Sequence, residues 1–225
     1  MTFTELAERV LMLAESGVHN LNFVTPEHWW PHIRELCGYL RHRGVEIPFL
    51  WNSSGFYRSE LLLEQCKCID IFLPDFKYAD GSLAKRCMGR NDYPELALAG
   101  LRLMVEKKGF LRPFDASGEI AASQGVMLRH LVLPGEIDNS INVLKILAEE
   151  FGEGLPLSLM RQFTPVPECE RRQFLNRKVY DEEYAEVCSM AAKLRFRKVF
   201  LQGVSDGSFL PDFKQPEQPF PGNQY

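Results

Sequence analysis

Five short polar groups directly follow, or lie inside, apolar runs of the sequence: Thr25-Pro26-Glu27-His28, Asn52-Ser53-Ser54-Gly55, Pro74-Asp75-Phe76-Lys77, Arg129-His130 and Arg161-Gln162-Phe163-Thr164. Carboxylate, amide, hydroxyl, ammonium and guanidinium groups are all present. That mixture suits the holding of a polar ligand better than it suits one nucleophile with its base. Asp75 and Lys77 are two residues apart, so in an extended segment they share a face and can pair with each other or with a ligand. Arg129 stands within the apolar stretch Met127 to Leu133, and a charge in a buried strand needs a partner or a ligand. Two of the groups have an equally good structural reading. Thr25-Pro26 is a helix start, with threonine as cap and proline at the first helical position, and Asn-Ser-Ser-Gly is ordinary turn chemistry.

Other chemistries find less support. His19, His28 and His32 raise a zinc hydrolase as an alternative, and His28 and His32 have the i, i+4 spacing that places two imidazoles on one helical face. No glutamate follows His28; the intervening residues are Trp29, Trp30 and Pro31. Cys66 and Cys68 flank Lys67 in neither a redox nor a zinc spacing. Serine nucleophile elbows and Gly-rich phosphate loops are absent from the sequence.

The elements that must position these groups follow from periodicity. Leu6, Val10, Leu11, Leu13 and Ala14 form a helical face, Thr2 and Glu5 have capping-box spacing, and Gly17 ends the helix. Asn20 to Val24 reads as a strand and is followed at once by a helix. Strand and helix then alternate: Val45 to Trp51, Ser59 to Gln65, Ile69 to Leu73, Tyr93 to Lys107, Val126 to Leu133, Asn139 to Phe151, Pro156 to Met160, Asp181 to Leu194 and Lys198 to Leu201. Helices of this length between strands require parallel pairing through crossovers. Five or six strands predict a partial (β/α) barrel over residues 1–210, with a flavodoxin-like open sheet as the alternative. In either, ligands bind at the carboxyl ends of the strands, where the polar groups collect. Phe114 to Gln124 reads as a polar turn between short extended pieces, and residues 211–225 as a Pro-rich tail. An array that opens on a helix implies that a preceding strand is missing or supplied from elsewhere.

Composition narrows the function classes. With 45% hydrophobic residues in 225, the chain can bury one substantial core. A formal net charge of -4 without a basic run argues against nucleic acid and anionic membranes. The longest apolar stretches fall short of the roughly 20 residues needed to span a bilayer. Six scattered cysteines read as reduced thiols of a cytoplasmic protein.

Taken together, the strand-end segments resemble the radical S-adenosylmethionine (SAM) proteins related to pyruvate formate-lyase activating enzyme. The residues that carry this resemblance are Gly17-Val-His-Asn-Leu-Asn-Phe-Val-Thr-Pro-Glu-His28, Trp51-Asn-Ser-Ser-Gly-Phe56, Asp70-Ile-Phe-Leu-Pro-Asp-Phe-Lys-Tyr78, Leu128-Arg-His-Leu-Val-Leu-Pro-Gly135 and Ser158-Leu-Met-Arg-Gln-Phe-Thr-Pro165. The resemblance implies S-adenosyl-L-methionine and a 4Fe-4S cluster as the family's cofactors, and cleavage of SAM to a 5'-deoxyadenosyl radical. It also implies a protein substrate of the glycyl-radical-enzyme type, or a small molecule. By position, Glu27 matches the residue that receives the SAM amino group, and Asn52 and Ser53 match a pair near the methionyl and ribose groups. Asp75 and Lys77 match a pocket-lining Asp-x-Lys, Arg129 an arginine near the carboxylate, and Gln162 a histidine close to the adenosine. The family's C-x-x-x-C-x-x-C cluster motif is absent from this sequence. The expectation is therefore a barrel whose first strand and cluster loop are missing. Such a chain would be inactive alone, a non-catalytic SAM-, nucleotide- or partner-binding remnant being the alternative, and the exposed barrel edge would favour a dimer.

Overall fold

The computed structural model describes residues 1–114 and 120–203. Helix α1 (Phe3–Glu15) starts at the expected capping box: the Thr2 hydroxyl accepts the Glu5 N–H at 3.3 Å, and the Glu5 carboxylate accepts the Thr2 N–H at 2.6 Å. The alternation then runs β1 (Leu21–Val24), α2 (Trp30–His42), β2 (Phe49–Ser53), α3 (Ser59–Cys68), β3 (Ile71–Pro74), α4 (Gly81–Met88) and α5 (Tyr93–Lys108). It continues with β4 (Gly125–Val126), β5 (Leu128–Leu131), α6 (Ile137–Phe151), β6 (Leu157–Met160), α7 (Pro167–Arg171), α8 (Asp181–Lys193) and β7 (Val199–Leu201). Helices α4 and α7 were not foreseen; they are the two shortest α-helices, of eight and five residues, too short for a periodic pattern to stand out in the sequence.

Thr25 does not cap. It sits in the left-handed region at φ 49° with no side-chain cap bond, and Pro26–Trp29 forms a 3-10 turn before α2. Of the turn foreseen at Phe114 to Gln124, residues 115–119 lie outside the described residues, as do 204–225, which include the Pro-rich tail. The described flanks of that turn pair: Arg112 and Gln124 form an antiparallel bridge.

Every strand ladder is parallel, and the order follows the chain: β1-β2-β3-β4, then β5-β6-β7. A flavodoxin-like sheet would reverse direction at a switch point. Here each strand is laid beside its predecessor, as in a barrel, and among the described residues β1 and β7 do not pair. β4 and β5 are successive parts of one extended stretch interrupted at Met127. The break has a local cause. The Met127 N–H donates to the Phe72 carbonyl at 3.1 Å and the Phe76 N–H to the Arg129 carbonyl at 3.0 Å, but between them stands Pro74, which has no N–H to give.

Side chains alternate across this array. Phe49, Trp51, Phe72, Val126, Leu128, Leu157 and Leu159 point to the helices and form the main core. Leu50 and Ile71 point the other way and join Leu111, Leu73 and Met127 in a smaller apolar floor on the inner face. Helix α5 packs closely against the loop after β2 at Gly100, where an added Cβ would stand 2.4 Å from the Tyr57 ring. Tyr57 is buried and cannot yield freely. Gly100→Ala is therefore expected to destabilise by about 1–3 kcal/mol through overpacking. Gly38→Ala, in an exposed and open position of α2, should be neutral or stabilising by up to about 1 kcal/mol. Urea unfolding of the two variants checks the contrast.

Candidate functional site

Where β3 ends, the chain crosses to the same height as β5, and Asp75 pairs in register with Arg129. The Asp75 Oδ1 atom accepts from Arg129 Nε at 3.0 Å and from its Nη2 at 2.7 Å, while Oδ2 meets Lys77 Nζ at 3.1 Å. Side-chain exposure is 11% for Asp75, 23% for Arg129 and 31% for Lys77. The arginine expected to need a partner has one, and one carboxylate serves two cations.

The loop bearing these groups is fixed from behind by three side chains. The Tyr93 phenol, at the start of α5, accepts the Lys77 N–H at 3.0 Å, and its proton faces the carbonyls of Asp75 at 3.1 Å and Ser54 at 3.3 Å. Asn139, in the first turn of α6, donates to the Lys77 carbonyl at 2.9 Å and accepts the Ala79 N–H at 2.8 Å. His130 is fully buried, with Nδ1 2.7 Å from the Phe76 carbonyl and Nε2 2.9 Å from the Ser140 hydroxyl. A carbonyl only accepts, so Nδ1 carries the proton and Nε2 accepts from Ser140. Burial pushes the imidazole pKa down, in keeping with this neutral tautomer. Gly55 completes the frame. At φ 85° it lets the loop after β2 lie against the loop after β3, where a Cβ would stand 1.9 Å from the Asp75 carbonyl.

The remaining expected residues divide between two faces. Asn52 pairs in register with Leu73 and so shares the inner face with Asp75 and Arg129; its carboxamide has no hydrogen bond to another described residue. Ser53 points oppositely, buried at 2% exposure with its hydroxyl on the Tyr57 phenol, as period-two alternation requires. Glu27 Oε1 accepts the Ser54 N–H at 3.1 Å and the Ser54 hydroxyl at 3.4 Å, which ties the β1 loop to the β2 loop. Glu27 Oε2 is buried with no partner, a condition shared among the described residues only by Trp51 Nε1. Gln162 lies two residues past β6, exposed, its carbonyl oxygen accepting from the Gln202 amide at 3.1 Å. Arg161 turns away to Asp181 and the Tyr184 ring. Tyr93 and Asn139 were missed from the sequence; their place in the first turns of α5 and α6 was the only signal.

His28 and His32 are both exposed, and no group of three or more His, Cys, Asp or Glu side chains suited to a metal exists among the described residues. The six cysteines are free and separate; burial pushes the Cys37 thiol up to about 12 and raises Cys66, Cys68, Cys87 and Cys188 as well. No described helix is long and apolar enough to cross a membrane.

The Tyr93 phenol is the shared fastening of the two loops, so Tyr93→Phe is expected to cost about 1–3 kcal/mol and to speed amide exchange at Lys77, whose acceptor is lost, more than at Ala79, which keeps Asn139. Hydrogen exchange read residue by residue, with urea unfolding, checks both parts.

No protein-family profile matches the sequence. An uncharacterised protein of Methanocaldococcus jannaschii is 20% identical over 181 residues, which are 80% of this chain and 48% of that protein. The chain thus spans about half the length of this curated relative. Among solved structures, a domain of pyruvate-formate lyase-activating enzyme from Bacteroides vulgatus superposes with a TM-score of 0.58 at 13% identity, covering 83% of this chain and all of that one. SuiB of Streptococcus suis superposes at 0.60 with 10% identity, covering 90% of this chain and 44% of that one. At such identities the likeness concerns the fold alone: the chain is a partial (β/α) barrel like these two structures, with its polar groups at the carboxyl ends of the strands.

Proposed function

We propose that the inner face at the carboxyl ends of β1, β2, β3 and β5 binds S-adenosyl-L-methionine. The amino-acid end of SAM is a zwitterion and needs an acceptor for its ammonium and donors for its carboxylate. Glu27 supplies a carboxylate oxygen that is buried without a partner, and this observation carries the reading. Lys77 and Arg129 supply the cations. Two carboxylates, Glu27 and Asp75, stand against these two cations, so a zwitterion enters without a net charge penalty. Asn52, with no hydrogen bond to another described residue, and Gln162 at the rim have amides to offer the nucleoside. Ser53 is the exception among the matched residues; its role is to hold the β2 end through Tyr57.

In the proteins that the strand-end segments resemble, a 4Fe-4S cluster supplies the electron for SAM cleavage. The described residues do not fit such a cluster, because no three thiolate, imidazole or carboxylate ligands converge. We therefore assign SAM binding, and not its reductive cleavage, to this chain by itself. Action on a glycyl-radical-type protein or a small molecule belongs to whatever larger unit supplies the cluster.

Calorimetry tests the binding. SAM should bind saturably, and Glu27→Gln should weaken it about tenfold by presenting an N–H where the ammonium needs an acceptor. Binding of 5'-methylthioadenosine, which lacks the amino-acid end, should be unchanged by that substitution. Absence of saturable SAM binding to the unaltered chain, or an equal loss for both ligands, would overturn the reading. Anaerobic incubation with iron and sulfide should leave the protein without the charge-transfer absorption of a 4Fe-4S cluster; stoichiometric iron and acid-labile sulfide would show that the ligand assignment is wrong.

A further inference from the structure

Beside the rim, the segments after β3, β5 and β6 together with α4 line a half-open cavity of about 330 Å³, within the range of small-molecule sites. Its walls are mainly apolar and include Leu131, Leu133, Phe163 and Leu175. Three charged residues also line it: Lys77, Glu168 and Arg172. Glu168 is already paired with Arg171. Arg172 makes no ion pair with a carboxylate among the described residues; one Nη atom donates to the Arg86 carbonyl at 2.9 Å. Lys77 shares a single carboxylate with Arg129. The electrostatic balance of the cavity is therefore positive, while its walls exclude a strongly hydrated ion.

We propose that this cavity is a second ligand site, for a small organic carboxylate whose apolar body fills the pocket and whose charge meets Arg172. The charge that defines it is Arg172, which takes no part in the Asp75 rim, so the proposal stands even if the rim binds no SAM. Two thiols, Cys87 and Cys169, line the cavity and report on its occupancy. An occupant shields them from alkylation, whereas Cys68 and Cys188, which do not line the cavity, serve as controls in the same chain.

The probe is 3-phenylpropanoate, compared with its neutral amide. The carboxylate is expected to bind saturably and about tenfold more tightly than the amide, because its hydrogen bonds to a guanidinium are charge-assisted. Arg172→Gln, at an exposed position that leaves the core intact, should bring the carboxylate down to the level of the amide. Under iodoacetamide the bound carboxylate should slow modification of Cys87 and Cys169 severalfold and leave Cys68 and Cys188 unaffected. Equal binding of acid and amide, unchanged affinity in Arg172→Gln, or unprotected cavity thiols would overturn the proposal. So would a parallel loss of SAM affinity in Arg172→Gln, since that would mean one site and not two.

Discussion

The structure turns on the carboxylate of Asp75, shared between Arg129 and Lys77 at the point where the backbone ladder between β3 and β5 loses a bond to Pro74. A parallel sheet that lacks one ladder hydrogen bond is weakened at that spot and free to bend. The side chains immediately beyond the break restore the connection with a charge-assisted fork from Arg129 and a single contact from Lys77. Because Asp75 is only 11% exposed, this is not a surface pair that salt would erase, and loss of either partner would leave a poorly hydrated charge. The same groups that mend the sheet are the ones that give the inner face its polarity. On the proposed reading, stability and SAM binding draw on one set of residues, and the frame behind them explains how they can serve both. Tyr93, His130 and Asn139 hold the backbone of residues 75–79 so fully that only the side chains remain adjustable.

How much of this was legible in the sequence depends on the range of the interaction. The alternation of apolar runs and amphipathic helices located every principal strand, and the Asp75-x-Lys77 spacing together with Arg129 in an apolar run pointed to a charged cluster. Those are local patterns. The frame was not legible, because Tyr93 and Asn139 act 16 and 62 residues away from Lys77 and nothing in their own neighbourhoods marks them as more than helix-start residues. Thr25 shows a different limit. Threonine before proline is a sound cap signal, yet tying Glu27 to Ser54 turns the chain into the left-handed region and leaves the cap bond unmade. Ser53 shows the converse, since period-two alternation already separates it from Asn52. The two were grouped as members of one polar segment and by the positional resemblance, neither of which takes account of that alternation.

On the proposed reading, SAM binding and metal chemistry come apart in this chain, and the cysteines give the physical reason. A cluster needs thiolates brought together on a partly solvated loop, with a field that favours the charged form. Here desolvation acts in the other direction on five of the six, most strongly on Cys37 at 2% exposure. Burial makes them good packing residues and poor ligands. The polar rim has no such requirement. Its members occupy positions that any parallel βα array exposes at its carboxyl end, so the fold supplies a place for a nucleotide whether or not a metal site accompanies it.

Lys77 lies between the two volumes that the loops enclose, and its surroundings say which way the charges must balance. Its N–H and carbonyl are fixed by Tyr93 and Asn139, so the side chain pivots from a rigid anchor. While it stays on Asp75, the inner face holds as many carboxylates as cations and favours a ligand that is itself zwitterionic. The neighbouring cavity then keeps only Arg172 as an unpaired charge. If Lys77 swung toward that cavity, the cavity would gain a second cation and Asp75 would be left with Arg129 alone. Occupation of the two volumes would then be coupled through one ammonium group: an anion in the cavity would draw positive charge from the rim, and by reciprocity a carboxylate at the rim would weaken its hold.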